Sequence, residues 1–189
     1  MTIALRRPMT VDAFLEWEER QERRYEFDGE RAVAMTGGTG NHAGIQANLI
    51  TSLRSRLRGT PCQAFGSELK IIVDGSVRYP DAFTTCTAVK RAATVADHPV
   101  AVFEVISPSS GPTDRIIKNL EYRNTASIQR YVILEQALIG AEVITREGDD
   151  WVGRSQGAGS TLRIPEAGIE VPLDELYLDV DLSPEEADA

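Results

Sequence analysis

Val100-Ala101-Val102-Phe103-Glu104-Val105-Ile106 decides how this chain is read. The run is rich in β-branched residues and has one polar member, the pattern of a strand covered on both faces. Strand side chains alternate, so Val100, Val102, Glu104 and Ile106 share one face. A carboxylate in the middle of such a run has no route to water. An isolated buried charge costs many kcal/mol, so proteins pair it, give it to a metal or protonate it. Glu104 is therefore a structural ion-pair member, a residue of an edge strand, or a metal ligand or catalytic acid. Its neighbours have to decide.

The nearest candidate neighbour is Asp81, in Tyr79-Pro80-Asp81-Ala82-Phe83 on an expected strand over residues 77–85. Proline is tolerated at a strand start, where it removes one ladder donor. If the two strands pair, Asp81 and Glu104 converge. Two carboxylates in a protected place repel each other. A hard cation such as Mg²⁺ or Mn²⁺ relieves that repulsion and takes oxygen ligands by preference. Alone, Asp81 also reads as an ordinary strand-end carboxylate. Downstream, Asp114, Lys118 and Tyr122 are spaced i, i+4, i+8 on an expected helix over residues 113–124. Ile116, Ile117 and Leu120 are its expected buried flank. A lysine behind a metal-binding strand can orient a water or stabilise charge developing on a phosphate. The alternative is a surface lysine paired with Asp114.

Further out, Thr10 caps an expected short helix over residues 11–20, and Asp28-Gly29 marks a turn between two strands. Ile45, Leu49, Leu53 and Leu57 recur at helical spacing, with Arg54, Arg56 and Arg58 on the other side. The arginines suit a solvated face or contacts to backbone phosphates. Strands are expected at 61–65, 68–73, 129–135, 139–146 and 151–154, and residues 107–112 as a loop. Helix, strands, helix, strand is the order of an α/β or α+β protein with a mixed central sheet flanked by helices. One domain is expected over residues 1–180, followed by an acidic tail at 181–189.

Two motifs imitate other chemistry. Gly38-x-Gly40-x-x-Ala43 opens a helix as a dinucleotide loop does, but the acidic residue expected about 20 positions on is missing. Glu68-Leu69-Lys70 spells acid-x-lysine without a preceding Pro-Asp strand, and reads as a salt bridge on an exposed face. His42, at the start of the long helix, is a first-turn polar residue or stands at the rim of the site.

The 189 residues are 42% hydrophobic and 26% charged, which excludes a disordered chain. Cys62 and Cys86 are too few for a disulfide framework and lack metal-type spacing, so they are expected as core thiols of a cytoplasmic protein. Residues 1–8 carry Arg6 and Arg7 without a following apolar stretch, so no secretion signal is expected. No window approaches the ~18 apolar residues of a membrane span. Twenty Lys and Arg against 29 Asp and Glu give a formal charge of −9, which argues against tight non-specific nucleic-acid binding. Yet residues 174–189 hold seven of the acids and no base. That segment is expected to fray.

Together these stretches resemble the PD-(D/E)XK nuclease superfamily, and within it the Uma-type family of restriction-endonuclease-like bacterial proteins. Residues 24–30, Tyr79-Pro80-Asp81, Phe103-Glu104-Val105-Ile106-Ser107-Pro108-Ser109, Asp114 to Tyr122 and Tyr131 to Leu134 carry the likeness, which spans about residues 9–180. The resemblance implies a metal-dependent endonuclease on a restriction-endonuclease-like core. Asp81 and Glu104 would bind Mg²⁺ (or Mn²⁺), and Lys118 would serve as the catalytic lysine. Glu26 would be a further acidic member; otherwise it is a solvated glutamate before the Asp28-Gly29 turn. The partner would be nucleic acid, DNA first, and pairing of two copies would follow the habit of related nucleases. The superfamily usually carries its lysine two residues after the acid, where this chain has Ile106.

Overall fold

The structure, a computed structural model, describes residues 9–106 and 113–183, without the side chains of Thr113 and Asp114. The Thr10 hydroxyl accepts the Ala13 N–H at 3.2 Å and starts α1 (Val11–Glu18). β1 (Tyr25–Phe27) and β2 (Ala32–Ala34) pair antiparallel around Asp28, whose Oδ1 accepts the N–H groups of Glu30 and Arg31. Thr39 caps α2 (Gly40–Arg56), which buries Ile45, Leu49 and Leu53 at the spacing that predicts a helix. Then follow β3 (Gln63–Gly66), β4 (Lys70–Val73), β5 (Ser76–Arg78), β6 (Ala82–Thr85), the short β7 (Val95–Ala96) and β8 (Pro99–Ile106). A π-helical turn, Thr113–Lys118, runs into α3 (Asn119–Asn124). The chain continues through β9 (Arg130–Glu135), β10 (Gly140–Glu147), β11 (Asp150–Gly157), β12 (Thr161–Ile164) and β13 (Ile169–Pro172), and a 3₁₀ turn at Leu173–Tyr177 follows.

These strands form a six-stranded mixed sheet in the order β11-β10-β9-β8-β6-β3, a five-stranded sheet β2-β1-β5-β4-β7 and the hairpin β12-β13. β8 and β9 are parallel, joined by the crossover that carries α3. One face of the large sheet packs Ala82, Phe103 and Val105 against Ile45, Leu49 and Leu53 of α2 and against the β12-β13 hairpin. The other face packs Phe83, Val102 and Ile106 against Tyr122 of α3 and Ile71 of β4. Alternation along β8 therefore serves two cores, which is why residues 100–106 are almost wholly apolar. The fold is α+β with a restriction-endonuclease-like core.

Several expectations need correction. Residues 77–85 are two strands in two sheets, because Pro80 offers no ladder N–H and the chain crosses from β5 to β6 at Tyr79-Pro80-Asp81. Residues 113–118 take π geometry instead of continuing α3 backwards. Ile116, Ile117 and Leu120 are not a buried flank; they are 62%, 48% and 55% exposed. Lys118 and Tyr122 take the inward side, one α-helical turn apart, so positions 116, 117 and 120 fall outward.

Cys62 and Cys86 are not free thiols but a disulfide. The antiparallel pair Gln63↔Thr85 makes them the next residues facing each other on β3 and β6. The reducing-compartment argument loses its premise. The segment after Asp174 is not frayed within the described residues: Leu176 and Tyr177 are buried, and burial pushes the Tyr177 hydroxyl up to about 12. The loop expected at 107–112 and the tail beyond residue 183 lie outside the described residues. Among the described residues no helix is long and apolar enough to cross a membrane.

Candidate active site

The site lies where Pro80 hands the chain from one sheet to the other. β6 and β8 pair antiparallel from Ala82 opposite Phe103, and Asp81 lies in the bend just before β6, at the end of that ladder. Asp81 Oδ2 accepts the Val105 N–H at 2.7 Å, which locks the carboxylate to the neighbouring strand. From α2, His42 Nε2 lies 3.1 Å from the same oxygen, and Gln46 Nε2 lies 3.1 Å from both Asp81 Oδ1 and the Asp81 carbonyl. A Cβ at Gly38 would stand 2.8 Å from the His42 ring, so the glycine loop makes room for this histidine.

Glu104 is only 4% exposed. Its Oε1 accepts from Lys118 Nζ at 2.9 Å and from the Tyr122 hydroxyl at 2.8 Å. Burial first, and the Glu104 charge next, push the Tyr122 hydroxyl well above its usual value, so it remains a donor. Lys118 Nζ also lies 3.6 Å from Glu26 Oε1. Glu26 is held in turn by the Tyr79 N–H at 3.1 Å and by Arg78 Nη1 at 3.0 Å. Arg78 grips Glu121 through Nε at 2.7 Å and Nη2 at 2.5 Å. Burial pulls the Arg78 guanidinium down, but its bond to Glu121 and the charge of Glu26 more than offset this. The result is an alternating ladder, Glu104, Lys118, Glu26, Arg78, Glu121, in which each buried charge meets an opposite one.

The structure brings Glu104, Lys118 and Glu26 together, and ties Asp81 to the same strand through the N–H of Val105, the residue after Glu104. Ile106 is buried in the apolar core, and the amine beside Glu104 comes from the helix that follows. Asp114 offers no test of its pairing with Lys118, since its side chain lies outside the described residues. The acid-x-lysine imitation dissolves: exposed Glu68 pairs with Arg24, while Lys70 is buried against Glu18 at 2.5 Å. Gln46, Arg78 and Glu121 are site members the sequence does not announce. Gln46 follows His42 by one helical turn, a spacing that signals it in retrospect. Arg78 and Glu121 look like surface charges until the second sheet covers them.

The donor set fits a hard cation. Asp81 and Glu104 offer carboxylate oxygens on adjacent strands, and Mg²⁺ commonly uses one or two carboxylates and completes its shell with water and phosphate. Among the described residues no three His, Cys, Asp or Glu side chains cluster to hold a metal unaided.

The two-sheet α+β core is a nuclease-like fold. Residues 11–174 match the Uma2 family, described as "Putative restriction endonuclease", and the chain belongs to that family. It is 30% identical over 173 residues to the uncharacterized protein slr1290 of Synechocystis sp., covering 89% of this chain and 91% of that one. A second Synechocystis protein, sll1609, is 23% identical over 154 residues, covering 79% and 87%. The fold is shared with the crystal structure of a putative nuclease belonging to DUF820 from Anabaena variabilis, at TM-score 0.72 and 17% identity over 90% of this chain and 98% of that one.

Proposed function

We propose that this protein is a metal-dependent endonuclease that hydrolyses phosphodiester bonds of nucleic acid, with DNA as the first substrate to test. The observation that carries the reading is the Asp81 carboxylate held by the N–H of Val105, the residue after Glu104, with the Lys118 amine 2.9 Å from Glu104. Asp81 and Glu104 would hold Mg²⁺ or Mn²⁺, which when bound supplies Lewis-acid activation of water and neutralises phosphate charge. Lys118 offers a fixed positive charge beside the reacting phosphate and stabilises the negative charge that develops there. Glu26, tied to Arg78, holds the lysine on its second side. Tyr122 donates to Glu104 and fixes the carboxylate's orientation from below.

A second reading, a nuclease fold that binds nucleic acid without cutting it, has its own support: Lys118 is engaged by two carboxylates, and Ile106 stands where the superfamily carries its lysine. Incubating supercoiled plasmid, single-stranded DNA and RNA with the protein in Mg²⁺ or Mn²⁺ separates the two. Metal-dependent cleavage that disappears in Asp81→Asn supports the enzyme. Absence of cleavage, together with no calorimetric metal binding at millimolar concentration, favours the inert module.

A further inference from the structure

The three arginines at the end of α2 do not share a fate. Arg56 is clamped: its guanidinium meets Glu175 at 2.6 and 2.9 Å and Ser52 Oγ at 2.7 Å. Arg54 and Arg58 are exposed and line a groove of about 310 Å³ with Thr60, Gln63 and Ala64. No Asp or Glu is among its described lining residues. Arg54 touches only the rim of the acceptor set there, its Nη1 lying 3.5 Å from the Ala64 carbonyl.

The groove and the site are joined by one flank of α2. Residues 46, 50, 54 and 58 follow one another at four-residue spacing, so they track one flank of α2 and its final turn. That flank runs beside β3, an edge strand of the large sheet. At the site end, Gln46 lies 3.1 Å from both Ser67 Oγ and the Asp81 carbonyl. In the middle, Ile50 packs at Gly66, where an added Cβ would touch it at 3.5 Å. At the far end, Arg54 reaches Ala64. Gln46 bridges Ser67 and Asp81, and Ala64 is three residues from Ser67, about 10 Å at strand rise. That span corresponds to roughly three base steps along one nucleic-acid strand.

The other flank of α2 carries the acidic C-terminal segment. Asn48 Nδ2 donates to the Leu176 and Leu178 carbonyls, Asn41 to the Asp181 carbonyl, and Ser52 to Glu175. Glu175 and the backbone of residues 176, 178 and 181 are therefore fastened on the side of the helix away from the groove. An overall charge of −9 hides a local surface whose sign suits phosphate.

We infer that the α2–β3 seam is the docking track for the phosphodiester backbone, with Arg54 and Arg58 holding phosphates about three nucleotides from the bond at Asp81. This rests on the endonuclease reading for its substrate class and adds where the strand lies. Such contacts position the strand and carry no sequence preference.

The test measures affinity for labelled single- and double-stranded DNA by anisotropy across a salt series, with Ca²⁺ replacing Mg²⁺. Wild type is compared with Arg54→Ala/Arg58→Ala and with Arg56→Ala. Losing two phosphate contacts lowers the slope of log K against log salt by up to about 1.8 on duplex and about 1.4 on single strands. Affinity at low salt falls about tenfold or more, alike for unrelated sequences. Arg56→Ala, whose partner is Glu175, keeps the wild-type slope. An unchanged slope in the double variant, with wild type binding DNA, overturns the docking track and leaves the endonuclease reading standing. A reduced slope without cleavage under any metal supports the track and overturns the enzyme. Failure of wild type to bind any nucleic acid at low salt overturns both.

Discussion

The chain buries the same trio of side chains twice. Glu104 meets Lys118 and Tyr122, and Glu18 meets Lys70 and Tyr79. Around Glu18 the donors are divided: Lys70 takes Oε2 at 2.5 Å and the Tyr79 hydroxyl takes Oε1 at 2.8 Å. This trio pins α1 to β4 and to the Pro80 crossing, next to the aromatic cluster of Phe14 and Phe27. Around Glu104 the lysine and tyrosine converge on one oxygen, Oε1, and the next residue on the strand, Val105, holds the Asp81 carboxylate. The difference teaches that a buried Glu–Lys–Tyr set is a structural clamp by default. In the proposed reading, a second carboxylate tied to the same strand converts it into a place where a cation and a phosphate would bind.

The largest expected effect breaks or upholds that contrast directly. Glu104→Gln should lower metal-dependent cleavage about 10²–10³-fold, the range for removing one preorganised charge from a site. Glu18→Gln should leave the rate within about threefold while costing about 3 kcal/mol of stability, because it strands Lys70 in a buried place. Steady-state cleavage and urea denaturation on both variants check this. If Glu18→Gln proves the more damaging to the rate, the two trios have been assigned the wrong way round.

The lysines sharpen the contrast at smaller scale. Lys118→Met removes a positive charge beside the proposed ligands, so Mg²⁺ affinity by calorimetry should rise at least about threefold even as cleavage falls. Lys70→Met should leave Mg²⁺ affinity unchanged. Equal affinities across wild type and both variants would mean that no cation sits near Glu104.

Much of this was legible in the sequence. The apolar run at residues 100–106 announced a doubly covered strand, and one glutamate inside it announced the centre of interest. The i, i+4 spacing of Lys118 and Tyr122 anticipated their shared approach to Glu104. What was not legible came from partners distant in the chain. The face of residues 113–124 was misread because Ile116, Ile117 and Leu120 looked like the hydrophobic choice. Glu104 needed Lys118 and Tyr122 inward, and a buried charge outweighs three partly exposable side chains. Arg78 and Glu121 carried no local signal, since each is buried only once β1, β5 and α3 assemble. The cysteine pair depended on β3 and β6 being neighbours with Gln63 facing Thr85, which spacing alone does not reveal.

The smallest expected effect concerns the pair that is neither clamp nor site. The hydrogen bond from Arg56 holds the Glu175 carboxyl below its ordinary value, with Ser52 adding to it. A carboxylate lowered on folding stabilises the protein above its unfolded pKa, about 4.3, and that contribution is lost as pH falls through the folded value. The two side chains are 28% and 34% exposed, so solvent screens the pair and about 0.5–1 kcal/mol is the appropriate scale. Glu175→Gln should therefore lower Tm by about 2 °C at pH 7, and the gap to wild type should close as pH falls below the unfolded value of about 4.3. Thermal melts from pH 3 to 8 check it. A gap that stays constant across this range would show that Glu175 acts through packing rather than charge. It would then no longer mark the mild end of a scale on which the buried Glu18 clamp costs several times more.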